Sequence, residues 1–134
     1  MNSVVIDTHT LIWYLDQSPK ISTTAIDLLD QITRSDLPIY IASITLVELV
    51  YLVEKQRLGA FSLEQLLTEL ATPESPFSII PLTMQVVQSL RKIPREQVPD
   101  MPDRIISATA LSLNLPLVTC DHKIRACPAI ETIW

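Results

Sequence analysis

The chain is 134 residues long, 48% hydrophobic with a mean hydropathy of +0.30, and carries a net charge of −5, which predicts one domain over residues 1–134 with a core of its own. No apolar run approaches the roughly 18 residues that span a bilayer, and no signal peptide is recognisable at the start, so we expect a cytoplasmic protein that contacts no membrane and keeps Cys120 and Cys127 reduced. The single glycine, Gly59, excludes a P-loop and a dinucleotide-binding fingerprint.

Strand and helix patterns alternate along the chain. This alternation predicts an α/β fold, with a central, mostly parallel β-sheet flanked by α-helices. The strands are apolar throughout, which is typical of a sheet covered on both faces. Turn and loop residues separate the elements, at Gly59, 72–76 and 93–102. The predicted elements, in chain order, are a strand at 3–6, helices at 8–15 and 22–34, a strand at 39–42, helices at 44–55 and 62–71, a strand at 77–80, helices at 83–92 and 103–113, and strands at 115–119 and 130–133.

Four carboxylates stand at the ends of predicted core elements. Asp7 directly follows the first strand, and Asp121 follows the fourth. Glu48 is the lone charge in an apolar helix, and Asp103 begins the helix that leads into the fourth strand. Because ligands of such folds bind at the carboxyl ends of the strands, we expect the four side chains to converge on one rim of the sheet. Burying ionised carboxylates is costly without compensation, which a shared divalent cation would supply.

Mg²⁺ and Mn²⁺ suit a set of hard oxygen ligands of this kind. One or two such ions can activate water and stabilise the leaving oxygen of a phosphodiester, so the pattern predicts metal-dependent hydrolysis of nucleic acid. Hydroxyl side chains near the acids are candidates to orient ligands or bound water: Thr8, Ser43, Thr45 and Thr119. Basic residues after position 90 are candidates to contact backbone phosphates of the nucleic acid: Arg91, Lys92, Arg95, Arg104, Lys123 and Arg125.

Structural roles compete with this interpretation. Asp7 and Asp103 also occupy positions suited to helix N-caps, and Asp121 a position suited to a turn. Glu48 is harder to explain in this way, because its neighbours on the same helix face are mostly apolar and do not form a solvated face. Four chance placements on one rim are less plausible together than a site.

Histidine and cysteine residues hint at zinc instead. The spacing of His9, His122, Cys120 and Cys127 matches no common structural zinc pattern. We expect His9 on the first helix near the acids, in a packing or hydrogen-bonding role.

Four stretches of the chain resemble the motifs of PIN-domain ribonucleases, in the branch of bacterial VapC-type toxins. They are residues 5–13 with Asp-Thr-His, and residues 43–48, 100–110 and 117–121, in the expected order and spacing. The resemblance covers nearly the whole chain and implies a three-layer sandwich around a parallel sheet. It also implies an Mg²⁺- or Mn²⁺-dependent endoribonuclease. The acids that it implies are Asp7, Glu48 and Asp103 as the principal ones, Asp121 as an assisting one, and Asp100 in a supporting position.

The same resemblance implies a toxin that is inhibited by a small cognate antitoxin, often within a homodimeric assembly. Met101 and Pro102 depart from the pattern of this branch, as does Cys120, and we expect these residues to affect loop shape or substrate choice. Apolar faces left over on the predicted helices at 22–34, 44–55 and 62–71 predict an exposed patch on which an antitoxin helix binds.

Other protein classes remain open. An aspartate-dependent phosphatase also has an Asp after its first strand, but its chemistry requires a second acid two positions later, where this chain has His9. A phosphoacceptor receiver domain requires paired acids after the first strand, and these are absent from the sequence. A non-catalytic module that keeps the fold as a scaffold would have no reason to retain all four acids or to bind Mn²⁺ at the rim.

Overall fold

The computed structural model describes residues 2–58 and 60–134, so the turn predicted at Gly59 lies outside the described residues. A five-stranded sheet forms the centre, in the order β3-β2-β1-β4-β5, and every neighbouring pair of strands is parallel. The predicted α/β class is confirmed. The strands are β1 (Val4–Ile6), β2 (Ile39–Ala42), β3 (Phe77–Ile80), β4 (Leu117–Val118) and β5 (Thr132–Ile133). The helices are α1 (Thr8–Leu15), α2 (Thr23–Arg34), α3 (Ser43–Glu54), α4 (Ala60–Leu70), α5 (Met84–Leu90), α6 (Met101–Leu113) and α7 (His122–Arg125).

Two hydrophobic cores cover the two faces of the sheet. Successive side chains of a strand point to opposite faces, and β1 follows this rule: Val4 and Ile6 belong to one core, and Val5 to the other. The first core includes residues of α1, α2 and α3, such as Leu29 of α2. The second includes residues of α5, α6 and α7, such as Ile106 of α6. This packing fixes the rim of the sheet from both sides.

The chain reverses direction in the sheet between β1 and β4. From β1 it proceeds through β2 to β3 at one edge, and then returns to place β4 on the other side of β1. In open α/β sheets the crevice for ligands lies at such a switch point, beyond the carboxyl ends of the strands. Asp7 and Thr119 follow the two strands that border this crevice.

Two predicted boundaries around the acids are wrong in an informative way. Helix α6 begins at Met101 rather than at Asp103, and its N-cap is Asp100, whose Oδ2 accepts the backbone N–H of Asp103 at 3.1 Å. The prediction began the helix after Pro102. Proline is tolerated in the first turn of a helix, however, because the N–H that it lacks would have no partner within the helix there. The residues after β4 form the short helix α7 with Asp121 as its N-cap, where the sequence predicted only a turn.

No helix in the described part of the chain is long and apolar enough to cross a membrane.

Candidate acidic metal site at the switch point

Asp7 joins the ends of β1 and β4. It is the N-cap of α1, and its Oδ1 accepts the backbone N–H of Thr10 at 2.9 Å. Its Oδ2 accepts a short hydrogen bond from the hydroxyl of Thr119, which is fully buried. The carboxyl group is itself buried, with 6% of the residue exposed. A carboxylate has about four acceptor sites, so both oxygens keep a lone pair for a further ligand.

Glu48 is held by a short chain of hydroxyl groups. The hydroxyl of Thr8 donates to Glu48 Oε1 at 2.6 Å and lies 3.1 Å from the hydroxyl of Thr45. A hydroxyl has only one proton to donate, so Thr45 donates to Thr8, and Thr8 donates to the carboxylate. Burial raises the pKa of Glu48 above its ordinary value, against the Thr8 hydrogen bond, which lowers it. The charges of Asp100 and Asp7 add to the rise.

Asp103 has the most perturbed carboxyl group of the rim. Burial is the largest cause that raises its pKa to about 7, and the negative charges of the other rim carboxylates raise it further. In decreasing order of effect, these carboxylates belong to Asp100, Asp121, Glu48 and Asp7. Like charges in one site disfavour ionisation. The five acids are therefore close enough to repel one another, although they come from four separate segments of the chain.

Asp121 is tied to the same network. Its backbone N–H donates to the hydroxyl of Thr119 at 3.0 Å, and this hydroxyl in turn donates to Asp7. Its side chain caps α7, since Oδ1 accepts the backbone N–H groups of Lys123 and Ile124 at 2.9 and 3.0 Å. Asp7 and Asp121 thus have both the structural role that the sequence left open and a place at the rim.

The acidic side chains at the rim offer the type of ligand atom that a hard divalent cation prefers. All five acidic groups offer oxygen, and a cation would offset both the burial and the repulsion that raise the pKa of Asp103. Among the described residues, however, no group of three or more His, Cys, Asp or Glu side chains converges closely enough to hold a metal ion. Mg²⁺ is commonly held by one or two carboxylates together with water and substrate phosphate, and this arrangement does not require such a cage.

A family model for the PIN domain matches residues 4–129. The chain belongs to the PIN-domain family. Ribonuclease VapC22 of Mycobacterium tuberculosis is 27% identical to it over 137 aligned residues that cover 100% of both chains.

Solved structures agree with this PIN-domain assignment. The structure of VapBC2 from Rickettsia felis, bound to a DNA fragment from its promoter, matches with a TM-score of 0.71 at 21% identity, over 98% of this chain and 97% of the other. A toxin–antitoxin complex from Klebsiella pneumoniae matches with a TM-score of 0.65 at 26% identity, over 98% and 96% of the two chains. The predicted family and its three-layer fold are confirmed.

The remaining supporting residues surround the acids of this PIN domain to different degrees. Ser43 is the first residue of α3, at the end of β2. His9 is exposed on α1, where its ring lies 5.6 Å from that of Trp13, and its charge lowers the pKa of Glu48. Thr10 was missed by the sequence analysis: its hydroxyl donates to the Val118 carbonyl at 3.1 Å, so it links α1 to β4.

Five of the six predicted phosphate-contacting residues are exposed on the PIN domain. The sixth, Arg104, is half-buried, and its guanidinium donates to the carbonyls of Ile93 and Leu90 at 3.0 and 3.1 Å. These bonds link α6 to the end of α5 and give Arg104 a structural role. The exposed residues are Arg91, Lys92, Arg95, Lys123 and Arg125.

Both cysteines are free thiols. Cys127 is buried, and its Sγ donates to Gln97 Oε1 at 3.2 Å. Burial, together with the charge of Asp7, raises the pKa of the Cys120 thiol, which disfavours the thiolate that a zinc ion requires.

Proposed function

We propose that this PIN domain is a metal-dependent endoribonuclease and acts as the toxin of a toxin–antitoxin pair. The observation that carries the proposal is the set of carboxyl groups at the switch point of the sheet, where burial first and neighbouring carboxylates second raise the pKa of Asp103 to about 7. Such a cluster is costly for the fold unless a cation compensates it. The name of the Mycobacterium relative supports ribonuclease activity, and the Klebsiella structure supports pairing with an antitoxin.

The four predicted acids would hold one or two Mg²⁺ or Mn²⁺ ions. Bound metal would supply a Lewis acid that activates water and neutralises charge on the scissile phosphate. Asp7 is oriented for this task by Thr10 and Thr119, and Glu48 by Thr8. Asp103 and Asp121 would complete the set of ligands, and the exposed basic residues defined above would contact backbone phosphates on either side.

Chelation tests this proposal. We expect that EDTA abolishes cleavage of a mixed-sequence single-stranded RNA by the purified chain, and that excess Mn²⁺ restores it, because the acids repel phosphate when no cation lies between them. Cleavage that persists in EDTA would contradict the proposal. Failure of the untreated chain both to cleave RNA and to bind Mn²⁺ would instead support the non-catalytic scaffold.

The surface that we propose for the antitoxin differs from the predicted one. Helix α2 does not line it. Three apolar side chains of this helix are fully buried in the first core, and those of Ile26 and Leu28 are half-buried against it. A narrow apolar cleft of about 30 Å³ lies instead between α1, α3 and α4. Leu15 at its edge is 40% exposed. An amphipathic helix of the antitoxin would place its apolar face on this cleft.

A charge at the cleft is expected to disrupt antitoxin binding. Leu15→Glu should weaken the complex with the proposed antitoxin at least about tenfold, because it buries an unpaired carboxylate in the interface. Thr24→Glu is the control, since it adds the same charge at an exposed residue of α2 that does not line the cleft. Affinity can be measured by calorimetry on the separately purified proteins. Equal affinity of both variants and the wild type would exclude the cleft as the binding surface.

The homodimer remains a prediction. Exposed apolar side chains at and before α5, those of Leu82, Met84 and Val87, support it. Light scattering on the isolated chain should give twice the 15.1 kDa of one copy. A single-copy mass over the full accessible concentration range would contradict it.

A further inference from the structure

A groove of about 550 Å³ opens directly beside the acids, between α3 and the start of α6. Glu48 and Asp100 line one end of it, and Lys55 and Arg57 also line it. Helix α3 provides one wall, because Glu48, Tyr51 and Lys55 are three and four positions apart and therefore lie in one stripe along the helix. Seven residues of helix rise by about 10 Å, so the groove leads from the proposed metal site to a pair of basic side chains.

An aromatic ring and a thioether are unusually accessible in this groove. Tyr51 is 57% exposed and Met101 is 65% exposed. The ammonium of Lys55 lies over the Tyr51 ring, 5.9 Å from its centre, so one face of the ring is next to a positive charge. An exposed aromatic face next to cations is the combination that binds single-stranded nucleic acid, in which bases stack and phosphates pair with cations.

The two ends of the groove carry opposite charges, and these charges determine in which direction a strand would lie in it. The end with Glu48 and Asp100 is negative and accepts phosphate only with a cation between them. The Lys55 and Arg57 side chains attract phosphate directly. None of the six predicted phosphate-contacting residues lines this groove, so it adds a second basic surface to the one after position 90.

We propose that this groove is the binding site for the nucleotide next to the scissile phosphate of a single-stranded RNA. The base stacks on Tyr51 with Met101 on the opposite side, and the following phosphate pairs with Lys55 and Arg57. The proposal rests on the ribonuclease activity proposed above and names the part of the substrate that the same site recognises.

Steady-state cleavage of the mixed-sequence single-stranded RNA tests the base contact. Tyr51→Ala is expected to raise KM about tenfold, the typical loss for one stacked base, with kcat little changed, whereas Tyr51→Phe keeps the ring and should behave as wild type. Tyr51 is largely exposed, so neither change threatens the fold. A KM for Tyr51→Ala equal to that of the wild type, in a chain that cleaves RNA, overturns the inference and leaves the proposed ribonuclease function intact.

The salt dependence of KM tests the proposed contacts of Lys55 and Arg57 with phosphate. The double variant Lys55→Ala/Arg57→Ala should raise KM and lower the slope of log KM against log salt concentration by about 0.7, because the contact with one phosphate of a single strand is lost. Lys20→Ala is the control, since Lys20 is exposed and lies 6.0 Å from the ring of Trp13 in a similar pair away from the groove.

If Tyr51→Ala changes the mass of the assembly in solution and leaves KM unaltered, the groove is a protein interface and the inference is wrong. A wild-type chain that cleaves no RNA removes the proposed function and this inference together.

Discussion

Asp7→Asn is expected to fold normally and to lose RNA cleavage by about 10³-fold or more, the scale on which preorganised charge stabilises such reactions. Asparagine caps a helix as well as aspartate does, so the hydrogen bond from Thr10 survives. The amide can donate to the hydroxyl of Thr119 in place of accepting from it. The variant therefore keeps the network and removes one negative charge from the proposed metal site. Cleavage is measured on the mixed-sequence single-stranded RNA at saturating Mn²⁺.

Asp27→Asn is the matched control for this experiment. Asp27 is exposed on α2, so the same change of charge there should leave cleavage at the wild-type rate. Circular dichroism and thermal unfolding verify that both variants are folded. A pure, folded Asp7→Asn chain that cleaves RNA as fast as the wild type would rule out the proposed role of Asp7.

In the absence of metal, the stability of the wild type is expected to fall as the pH rises from about 4 to 7 relative to that of Asp103→Asn. The pKa of Asp103 is raised to about 7 in the folded chain, against about 3.9 for an unfolded one. The folded state therefore binds this proton more tightly, and the stabilisation is complete below pH 4 and lost as the pH passes 7. Allowing for solvent screening of a half-buried group, the loss amounts to about 1 kcal/mol.

Thermal unfolding of the two chains, with EDTA present, measures this difference. At pH 8 Asp103→Asn should melt about 3 °C higher than the wild type, and at pH 4 the two should coincide. Mn²⁺ at pH 8 should stabilise the wild type more than the variant, because it binds the ionised carboxylate. A wild type that gains stability over Asp103→Asn as the pH rises would show that the pKa of Asp103 is not raised in the folded chain.

The positions of the acids at the rim follow from the order of the strands and helices, and this order could be predicted from the sequence. Asp7 lies at the end of a buried strand and Glu48 in an apolar helix, and both features are visible in the one-dimensional pattern. The parallel sheet then brings together residues that are far apart in the chain. The contact of Thr119 with Asp7, 112 positions away, required only that β4 be the neighbour of β1.

What the sequence did not reveal depends on local geometry. Helix α7 has four residues, too few to show a helical period. The guanidinium of Arg104 reaches two backbone carbonyls, and no pattern of charges distinguishes this from a solvated cation. The groove beside Tyr51 exists because α3 and α6 pack against each other, and its basic end comes from Lys55 and Arg57 rather than from the basic residues after position 90.

The central claim is that the rim acids form one site for a hard divalent cation. Titration of the metal-free chain with Mn²⁺ at neutral pH, followed by calorimetry, tests it most directly. We predict saturable binding that Asp7→Asn and Asp103→Asn each weaken and that Asp27→Asn leaves unchanged. Absence of saturable binding to the wild type, or equal binding to all four chains, would contradict the claim.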